Sequence, residues 1–283
     1  MAMRRANHLK LPEAARPNQR RWLDSTHVLG QFSPMPVSQL ETAEAEAAAA
    51  GGDTKRAYVQ RIFSQIAPSY DFLNHLLSFN IDKGWRRKAI AALSWERAPS
   101  GTYVDLCAGT LDVSSLLARH QGFSGRVIGA DFAEPMLRAG FAKVQPERVT
   151  PVVADALDLP LPDDSAAGAI VAFGIRNVAD LDAALREVLR VLAPGMRFVI
   201  LEFTTPRSAV VRALFHLYFH HVCPLIGAFV SGHRTAYRYL PRSVANFPIE
   251  EQLATRMRNA GFTSVEWRTL TFGVAAIHVG TKR

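Results

Sequence analysis

The sequence predicts an α/β protein with a Rossmann-like seven-strand sheet, mostly parallel with an antiparallel last strand, and helices on both faces. Three observations support this class. Between residues 103 and 203, short β-branched runs alternate with amphipathic runs of helical period. The first strand leads into a tight turn that contains glycine, DLCAGTLD at 105–112. Two final strands meet so closely, at Gly273, that they must pair antiparallel. Such alternation calls for a parallel sheet covered by helices.

Each element follows from a local pattern. Helical spacing of apolar residues covers 59–79, around Pro68, and 81–93, and predicts an N-terminal helical lid. Strands are predicted at 103–107, 126–131, 150–155, 167–173, 196–203, 265–272 and 274–281. The other helices are predicted at 113–120, 134–144, 181–192 and 249–260. The last of these stops at Gly261, a residue typical of helix ends.

Composition describes a folded protein with a substantial core, because 48% of the 283 residues are hydrophobic and 20% are charged. Two cysteines, Cys107 and Cys223, lie far apart, so we expect neither a disulfide framework nor a metal site. No stretch reaches the ~18–20 apolar residues of a membrane span, and residues 1–30 lack the apolar centre of a signal peptide. We expect a cytoplasmic protein.

Residues 1–55 differ in composition from the rest of the chain. ETAEAEAAAAGG at 41–52 is a low-complexity linker. The opening stretch is rich in arginine, which fits either a targeting presequence or a disordered tail, and we favour the tail. We therefore predict a disordered tail and linker at 1–55 and a single domain at 56–283.

An acidic residue lies within or at the end of each of the first three predicted strands. Asp105 lies within the first strand, whereas Asp131 and Asp155 close the second and third. In a doubly wound sheet, ligands bind at the carboxyl ends of the strands, where an acid can reach a ribose diol. A single aspartate there more often caps a helix or turn. Three aspartates at successive strands of a doubly wound sheet favour a nucleoside-containing cofactor.

The turn after the first strand narrows the choice of cofactor. Dinucleotide sites need G-x-G-x-x-G, so that pyrophosphate can lie against bare backbone. Here Gly109 stands alone, with Ala108 and Leu111 in place of further glycines. S-adenosylmethionine has no phosphate and tolerates more side chain in its loop. We therefore predict this cofactor, with Asp131 on its ribose and Asp155 near its adenine.

The stretch 59–283 resembles the ubiquinone/menaquinone biosynthesis C-methyltransferases, which are class I S-adenosylmethionine-dependent enzymes. The runs that carry the resemblance are VQRIFSQIAPSYDFLNHLLSFNIDKGWRR, DLCAGTLD, GADFAEPML, ADALDLPLPDDS, FGIRNVADLDAALREVLRVLAPG, LEFTTP, YRYLPRSVANFP and AGFTSVEWRTLTFGVAAIHVGTKR. The resemblance implies the same seven-strand topology, and methylation of a ring carbon of a prenylated hydroquinone.

The resemblance also implies individual cofactor contacts. They fall on Thr110, Asp131 and the Asp155–Ala156 pair, while the family's serine near the fourth strand is replaced by Ala172. Leu111 stands where the family's loop usually has a second glycine, and a positive φ there would cost about 1 kcal/mol or more. We expect a slightly reshaped loop that still binds. The predicted cofactor-binding residues are Asp105, Gly109, Thr110, Asp131, Asp155, Ala156 and Ala172.

The chemistry of the family points to three catalytic candidates. A ring carbon becomes a good nucleophile when a neighbouring phenol is ionised, which costs about 4 kcal/mol at pH 7. We assign Arg176 to stabilise the phenolate and Asn177 to orient the ring oxygen, because both follow the fourth strand. Tyr70, beside Asp71 in the lid, would touch the methyl region. The alternatives are a surface ion pair and a helix cap for Arg176 and Asn177, and a core tyrosine with a capping aspartate for Tyr70 and Asp71.

Other candidates are less specific. His233, Tyr237 and Tyr239 would line the opposite wall, and a histidine would serve as proton acceptor. The remaining candidates for that role are His216, His220 and His221. A histidine on such a helix is more often only packed.

The partners follow from charge and hydropathy. The net charge is +8, but basic and aromatic residues are not interleaved, so we expect no nucleic acid. The apolar segment 209–230 fits a groove for an isoprenoid tail that opens to a membrane, a homodimer interface, or plain core. KGWRRK at 83–88, with Arg234, Arg238 and Arg242, would seat the protein peripherally on the inner membrane surface.

Three rival functions stay open. They are methylation of another small aromatic compound, a nicotinamide oxidoreductase, and a non-catalytic binding protein on a methyltransferase fold. The missing glycine fingerprint opposes the second. Leu111 and Ala172 favour the third, whereas Asp131, Arg176 and Asn177 oppose it. Sequence alone does not choose between a benzoquinone and a naphthoquinone ring.

Overall fold

A computed structural model gives the structure of the chain and describes residues 52–67, 70–222 and 234–283. The strands are β1 (Thr102–Leu106), β2 (Arg126–Asp131), β3 (Val149–Val153), β4 (Gly168–Ala172), β5 (Arg197–Phe203), β6 (Thr263–Leu270) and β7 (Ala275–Thr281). The helices are α1 (Gly52–Ile66), α2 (Tyr70–Leu77), α3 (Ile81–Leu93), α4 (Asp112–Ala118), α5 (Glu134–Gly140), α6 (Leu181–Val191), α7 (Ala209–Leu217), α8 (Arg234–Ala245) and α9 (Glu250–Ala260).

The seven strands form one sheet in the order β3-β2-β1-β4-β5-β7-β6. β1 pairs parallel with both β2 and β4, and the parallel pairing extends to β3 on one side and β5 on the other. β7 runs antiparallel to both β5 and β6. The predicted fold class is confirmed. The strand order reverses between β1 and β4, and this is where a doubly wound sheet binds its ligand.

Most element boundaries agree with the sequence pattern. The helix at 81–93 and the strand at 126–131 end where predicted. The predicted helix at 134–144 is shorter, because α5 ends at Gly140 and a single 3-10 turn follows it. Apolar spacing alone does not distinguish these two helix types over one turn.

The first described helix begins at Gly52, four residues before the predicted domain boundary. Of the tail and linker predicted at 1–55, residues 52–55 belong to α1, whereas residues 1–51 lie outside the described residues, so their disorder stays a prediction. The predicted helical stretch 59–79 divides into α1 and α2 on either side of residues 68–69. A division there accords with Pro68, because proline lacks an N–H and disfavours a helical residue before it.

Apolar side chains cover both faces of the sheet. On one face α6 and α9 contribute Leu185, Val188 and Met257. On the other face α3 and α4 contribute Ile90 and Leu117. Burial on both faces explains why the central strands are almost uniformly hydrophobic. This rigid sheet fixes the positions of the loops at its carboxyl edge.

The N-terminal helices lie at that same edge. Val59 and Ile62 of α1 pack against Tyr239 of α8, and Ala67 packs against Ala133 and Met136 beside β2. The lid is thereby tied to two parts of the domain. Within the described residues, no helix has both the length and the apolar character needed to cross a membrane.

Candidate active site

A cleft opens at the carboxyl ends of β1, β2 and β4, and α1 lies across it. It encloses about 660 Å³ of empty space, the open mouth included. The predicted site residues that line it are Tyr70, Gly109, Asp131, Asp155, Ala156, Ala172 and Asn177. The structure therefore brings together most of the predicted set. Asp105, Thr110 and Arg176 are not part of this lining.

In the turn after β1, every second residue has a positive φ angle. Cys107, Gly109 and Leu111 have φ angles of 52°, 52° and 64°. The positive φ considered for Leu111 is therefore present. Its side chain is fully buried, and it occupies space left by Gly129 and Gly140, where an added Cβ would lie 2.5 Å and 3.1 Å from leucine atoms. Burying a leucine contributes about 1.5–3 kcal/mol, which offsets strain of about 1–3 kcal/mol.

Asp105 lies behind this turn. Its Oδ2 accepts hydrogen bonds from the backbone N and the Oγ of Ser114, at 2.9 Å and 2.7 Å. Burial raises the pKa of Asp105 to about 7. The side chain points from the strand toward α4, so it fastens the helix start to β1. A direct contact with a cofactor stays a prediction.

Asp131 has the geometry of a diol-binding acid. Its Oδ1 accepts a bond from the Ala133 N–H and its Oδ2 from the Gly109 N–H, both at 2.8 Å. Each oxygen retains a second lone pair, and the residue borders the cleft. Burial raises the pKa of Asp131 to about 6. The turn and the acid therefore form one unit, ready to accept bonds from two hydroxyl groups.

Asp155 lies at the rim, where α1 reaches it. Its Oδ1 accepts a bond from the Leu157 N–H at 3.0 Å, and its Oδ2 lies 2.9 Å from Arg56 Nη2. Arg56 was not among the predicted residues, because sequence alone does not show that α1 crosses the cleft. Ala156 and Ala172 line the cleft with small side chains that leave room for a ring system.

Thr110 faces the lid. Its Oγ1 donates to Asp71, whose carboxylate also pairs with Lys143. Lys143 reaches Asp112 as well, with Nζ 2.7 Å from Oδ1. This lid clasp, formed by Asp71, Thr110, Asp112 and Lys143, holds α2 against the turn after β1 and places Tyr70 over Gly109. Sequence reasoning missed Asp112 and Lys143.

Asn177 presents an unsatisfied group. It lies in a single 3-10 turn after β4, is 7% exposed and lines the cleft. Its Oδ1 is buried and has no hydrogen-bond partner among the described residues. A buried acceptor left without a partner costs about 1–3 kcal/mol, so the site is built for a ligand that supplies a donor.

A second cavity, the apolar groove, adjoins the cleft. It encloses about 1120 Å³ of empty space, its open side included. Its walls are mostly aromatic and aliphatic, and they come from α2, α3, β5, α7 and the β6–β7 connection. The residues are Tyr70, Ser78, Phe79, Ile81, Asp82, Trp85, Arg86, Phe173, Arg176, Phe203, Val211, Leu214, Phe215, Tyr218, Thr271 and Val274. Tyr70 and Phe173 line both cavities and mark their junction.

Arg176 lines the apolar groove and is 8% exposed. Its Nη1 lies 2.7 Å from Glu202 Oε1 and also donates to the Phe173 carbonyl. Its Nε donates to Ser243 Oγ at 3.3 Å, and its guanidinium lies over the Phe203 ring. The ion pair weighed in the sequence analysis exists, but it is buried rather than on the surface. Glu202 was missed, although an acid inside the apolar run VILEF was a visible signal.

Several predicted candidates lie outside the description. Cys223 and His233 are outside the described residues, as are the side chains of His220, Arg234, Tyr237 and Arg238. Tyr239 is buried against Tyr58 and does not line the groove. His216 and His221 are exposed on the segment after β5. Arg86, one of the basic residues proposed to meet lipid, is buried and pairs with Asp82.

The residues of the cleft fit S-adenosylmethionine. Asp131 offers two acceptor oxygens for a ribose diol, and the turn at Gly109 brings bare backbone beside it. Asn177 provides the buried acceptor that lacks a partner. Asp155 and Ala156 line the same cleft, and their contact with an adenine stays a prediction. No group of metal-binding side chains is found among the residues that the structure describes.

Solved structures support the fold. An S-adenosylmethionine-dependent methyltransferase from Thermotoga maritima aligns with a TM-score of 0.57 and 19% identity, over 79% of this chain and 99% of that one. The [4+2]-cyclase SpnF aligns with a TM-score of 0.53 and 16% identity, over 70% of this chain and 80% of that one. Since a cyclase shares the architecture, the fold alone does not determine the reaction.

Sequence relatives are more specific. A demethylmenaquinone methyltransferase from Thermus thermophilus is 47% identical over 78% of this chain and 100% of its own length. A demethylmenaquinone methyltransferase from Deinococcus radiodurans is 43% identical over 86% of this chain and 100% of its own length. A ubiquinone/menaquinone biosynthesis C-methyltransferase from Geobacter sulfurreducens is 43% identical over 79% of this chain and 88% of its own length. The profile of the ubiE/COQ5 methyltransferase family matches residues 52–282. This chain belongs to the ubiE/COQ5 methyltransferase family.

Proposed function

We propose that this enzyme transfers a methyl group from S-adenosylmethionine to a ring carbon of a prenylated quinol. The observation that carries the proposal is the junction of two unlike cavities at Tyr70 and Phe173. One cavity holds the acids that suit a nucleoside, and the other is an apolar groove that suits an isoprenoid chain. The names of the relatives supply the quinol class, and demethylmenaquinol is the first candidate.

When bound, S-adenosylmethionine supplies a methyl group on a positively charged sulfur; the ring carbon takes the methyl group, the sulfur keeps the bonding electrons, and S-adenosylhomocysteine leaves. Asp131, Gly109 and Asn177 hold this group in the cleft. Asp155 would hold the adenine end, at the rim where Arg56 contacts it. Tyr70 covers the junction from the lid and excludes water.

The quinol ring lies at the junction with its phenol oxygen toward Arg176. The guanidinium stabilises the phenolate, and the apolar walls formed by Phe173 and Phe203 strengthen that attraction by excluding water. The phenol proton passes to solvent before Tyr70 and the apolar walls exclude water from the junction. After transfer the ring carbon loses its own proton as the oxygen regains one, so the reaction releases one proton in total.

A direct assay tests the function. Purified protein in detergent is given S-adenosylmethionine with a labelled methyl group and either demethylmenaquinol or a demethylated ubiquinol precursor, and products are identified by mass. We expect labelled menaquinol, with the label on a ring carbon. If the protein binds S-adenosylhomocysteine but transfers no label to either quinol, the result would favour the alternative of a non-catalytic binding protein.

We further propose that the mouth of the apolar groove contacts a membrane. Among the residues that line the groove, Phe79, Ile81 and Leu214 have exposed side chains. Further large hydrophobic residues are exposed on the elements that form its walls: Leu76, Val210, Leu217, Val222 and Phe272. Phe79 and Phe272 are 72% and 85% exposed, and both have positive φ angles. Lys83, Arg87 and Lys88 are exposed nearby on α3. An apolar patch rimmed by cations suits an anionic bilayer, from which a prenylated substrate would enter.

Flotation with anionic vesicles tests this contact. We expect the unaltered protein to float and the variant F79S/F272S to float at least tenfold less. F141S is the control, because Phe141 is half exposed but lies outside the groove mouth. Light scattering of the same proteins tests the alternative, a homodimer interface. That alternative would replace the membrane contact if the unaltered protein does not float but forms a dimer that the F79S/F272S substitutions dissociate.

A further inference from the structure

We infer that Glu202 is a positioning residue for the reaction, one that fixes Arg176 at the junction and whose negative charge limits the attraction of Arg176 for a phenolate. The inference deepens the proposed function and rests on it. An acid inside the apolar run VILEF marks Glu202 as unusual, but only the tertiary structure places it against Arg176.

The contacts hold Arg176 at two points. Glu202 Oε1 accepts from the guanidinium at 2.7 Å, and Oε2 accepts from the Arg176 backbone N–H at 3.4 Å. The Phe203 N–H donates to the same Oε1 at 2.9 Å, which fixes the carboxylate itself. Glu202 lies on β5 and is 2% exposed. A carboxylate held in this way determines where the guanidinium points.

Charged and titratable groups near Arg176 come from α1, α8, β5 and the turn after β1, and Arg86 and Asp82 of α3 line the same groove as an ion pair. Lys55 of α1 donates to the Arg176 carbonyl at 2.8 Å, and burial, with the nearby Arg176 charge, lowers the pKa of Lys55. Tyr239 of α8 lies close by, and burial raises its pKa to about 12, so it stays neutral. Burial keeps the thiol pKa of Cys107, on the Glu202 side, well above its ordinary value. Among the described residues, Glu202 is the only carboxylate in contact with Arg176.

These charges determine how Glu202 changes the ionisation of a phenol bound at the junction. The arginine–glutamate pair has no net charge, so a phenolate at the junction gains less from Arg176 than it would from an isolated cation. Replacing the carboxylate by an amide keeps a hydrogen-bond acceptor but removes the negative charge. Arg176 is then uncompensated, and a positive charge favours the ionised phenol. The phenol therefore ionises at a lower pH.

The test measures ionisation of a bound phenol without turnover. A prenylated naphthol already methylated at the reacting carbon is bound with S-adenosylhomocysteine, and phenolate absorbance is followed against pH. In Glu202→Gln we expect the midpoint to fall by about one pH unit relative to the unaltered protein. Ser243→Ala is the matched control, because it removes the other side-chain hydrogen bond of Arg176 without changing charge, and its midpoint should stay. A folded Glu202→Gln protein with an unchanged midpoint would overturn the inference.

A second variant covers the case in which Glu202→Gln does not fold, which circular dichroism and binding of S-adenosylhomocysteine would reveal. Glu202→Asp keeps the charge but shortens the side chain, so Arg176 is displaced. We expect kcat to fall at least tenfold with KM nearly unchanged, and the phenol midpoint to rise rather than fall, because the displaced guanidinium stabilises the phenolate less. Wild-type kcat in this variant would contradict the positioning role. Failure of the naphthol to bind the unaltered protein would reject the substrate class itself, which is a separate result.

Discussion

At the residue scale, the site depends on three buried polar side chains, two of which are held in place by hydrogen bonds. Asp131 is fastened by two N–H groups, and Asn177 retains one acceptor for a ligand. Arg176 is fastened by an acid and a carbonyl. Such preorganisation means that single substitutions should change binding with little effect on the fold.

The raised pKa of Asp131 predicts a pH-dependent affinity. The ribose hydroxyl groups need the carboxylate form, and the pKa of about 6 means that one tenth is ionised at pH 5. Affinity for S-adenosylhomocysteine, measured by calorimetry, should therefore fall roughly tenfold between pH 7.5 and pH 5.

Asp131→Asn serves as the control for that titration. It should bind roughly ten- to a hundredfold more weakly at pH 7.5, since hydrogen bonds to a charged group contribute about 1.5–3 kcal/mol. Its affinity should vary less with pH. An equally steep pH dependence in the variant would assign the titration to another group.

Leu111 tests the balance between strain and burial. Leu111→Gly removes the strain but empties the space beside Gly129 and Gly140, so we expect the free energy of unfolding to fall by about 2 kcal/mol. Leu111→Ala empties most of that space and keeps the positive φ, so it should be about 1 kcal/mol less stable than the glycine variant. Urea denaturation measures both, and the reverse order would show that strain at this position is negligible.

At the element scale, polar contacts hold α2 against the turn after β1, while Tyr70 at its start packs beside Ala133 and Met136. α2 meets the turn after β1 through Asp71, Thr110 and Lys143. Elements attached by few polar contacts open more readily than the core, and binding-site lids are drawn from such elements. The lid clasp is therefore the natural point for substrate entry.

Asp71→Asn should loosen this lid. The change removes the charge that pairs with Lys143, which contributes about 1–2 kcal/mol at a partly buried position. Hydrogen exchange in α2 should be roughly tenfold faster, while exchange in α3 stays unchanged. Arg138→Ala, which breaks an exposed pair with Glu134, is the control and should have no effect. Faster exchange throughout the protein would indicate global destabilisation instead.

At the scale of the whole molecule, one sheet supports both cavities. β1, β2 and β4 end at the cleft, whereas β5 and the β6–β7 connection border the groove. The antiparallel insertion of β7 between β5 and β6 brings that connection to the groove mouth. The fold thereby places a nucleoside site and a lipid site side by side.

The predicted tail can be tested at this scale. A chain that starts at Gly52 keeps every contact of the site described above. If residues 1–51 are a disordered tail, the shortened protein should have the same melting temperature and the same affinity for S-adenosylhomocysteine within error. A clear loss in either measurement would show that the N-terminal residues take part in the domain.

The sequence by itself determined the fold class, the order of the elements, the position of the cleft and the acids that border it. These properties follow from local periodicity and from the rule that ligands bind at strand carboxyl ends. Only the tertiary structure decided that Arg176 pairs with Glu202, that Arg56 reaches Asp155, that Leu111 fills the space beside two glycines, and that an apolar groove meets the cleft. Each of these joins residues from different elements, and such contacts depend on how helices pack on the sheet rather than on any local pattern.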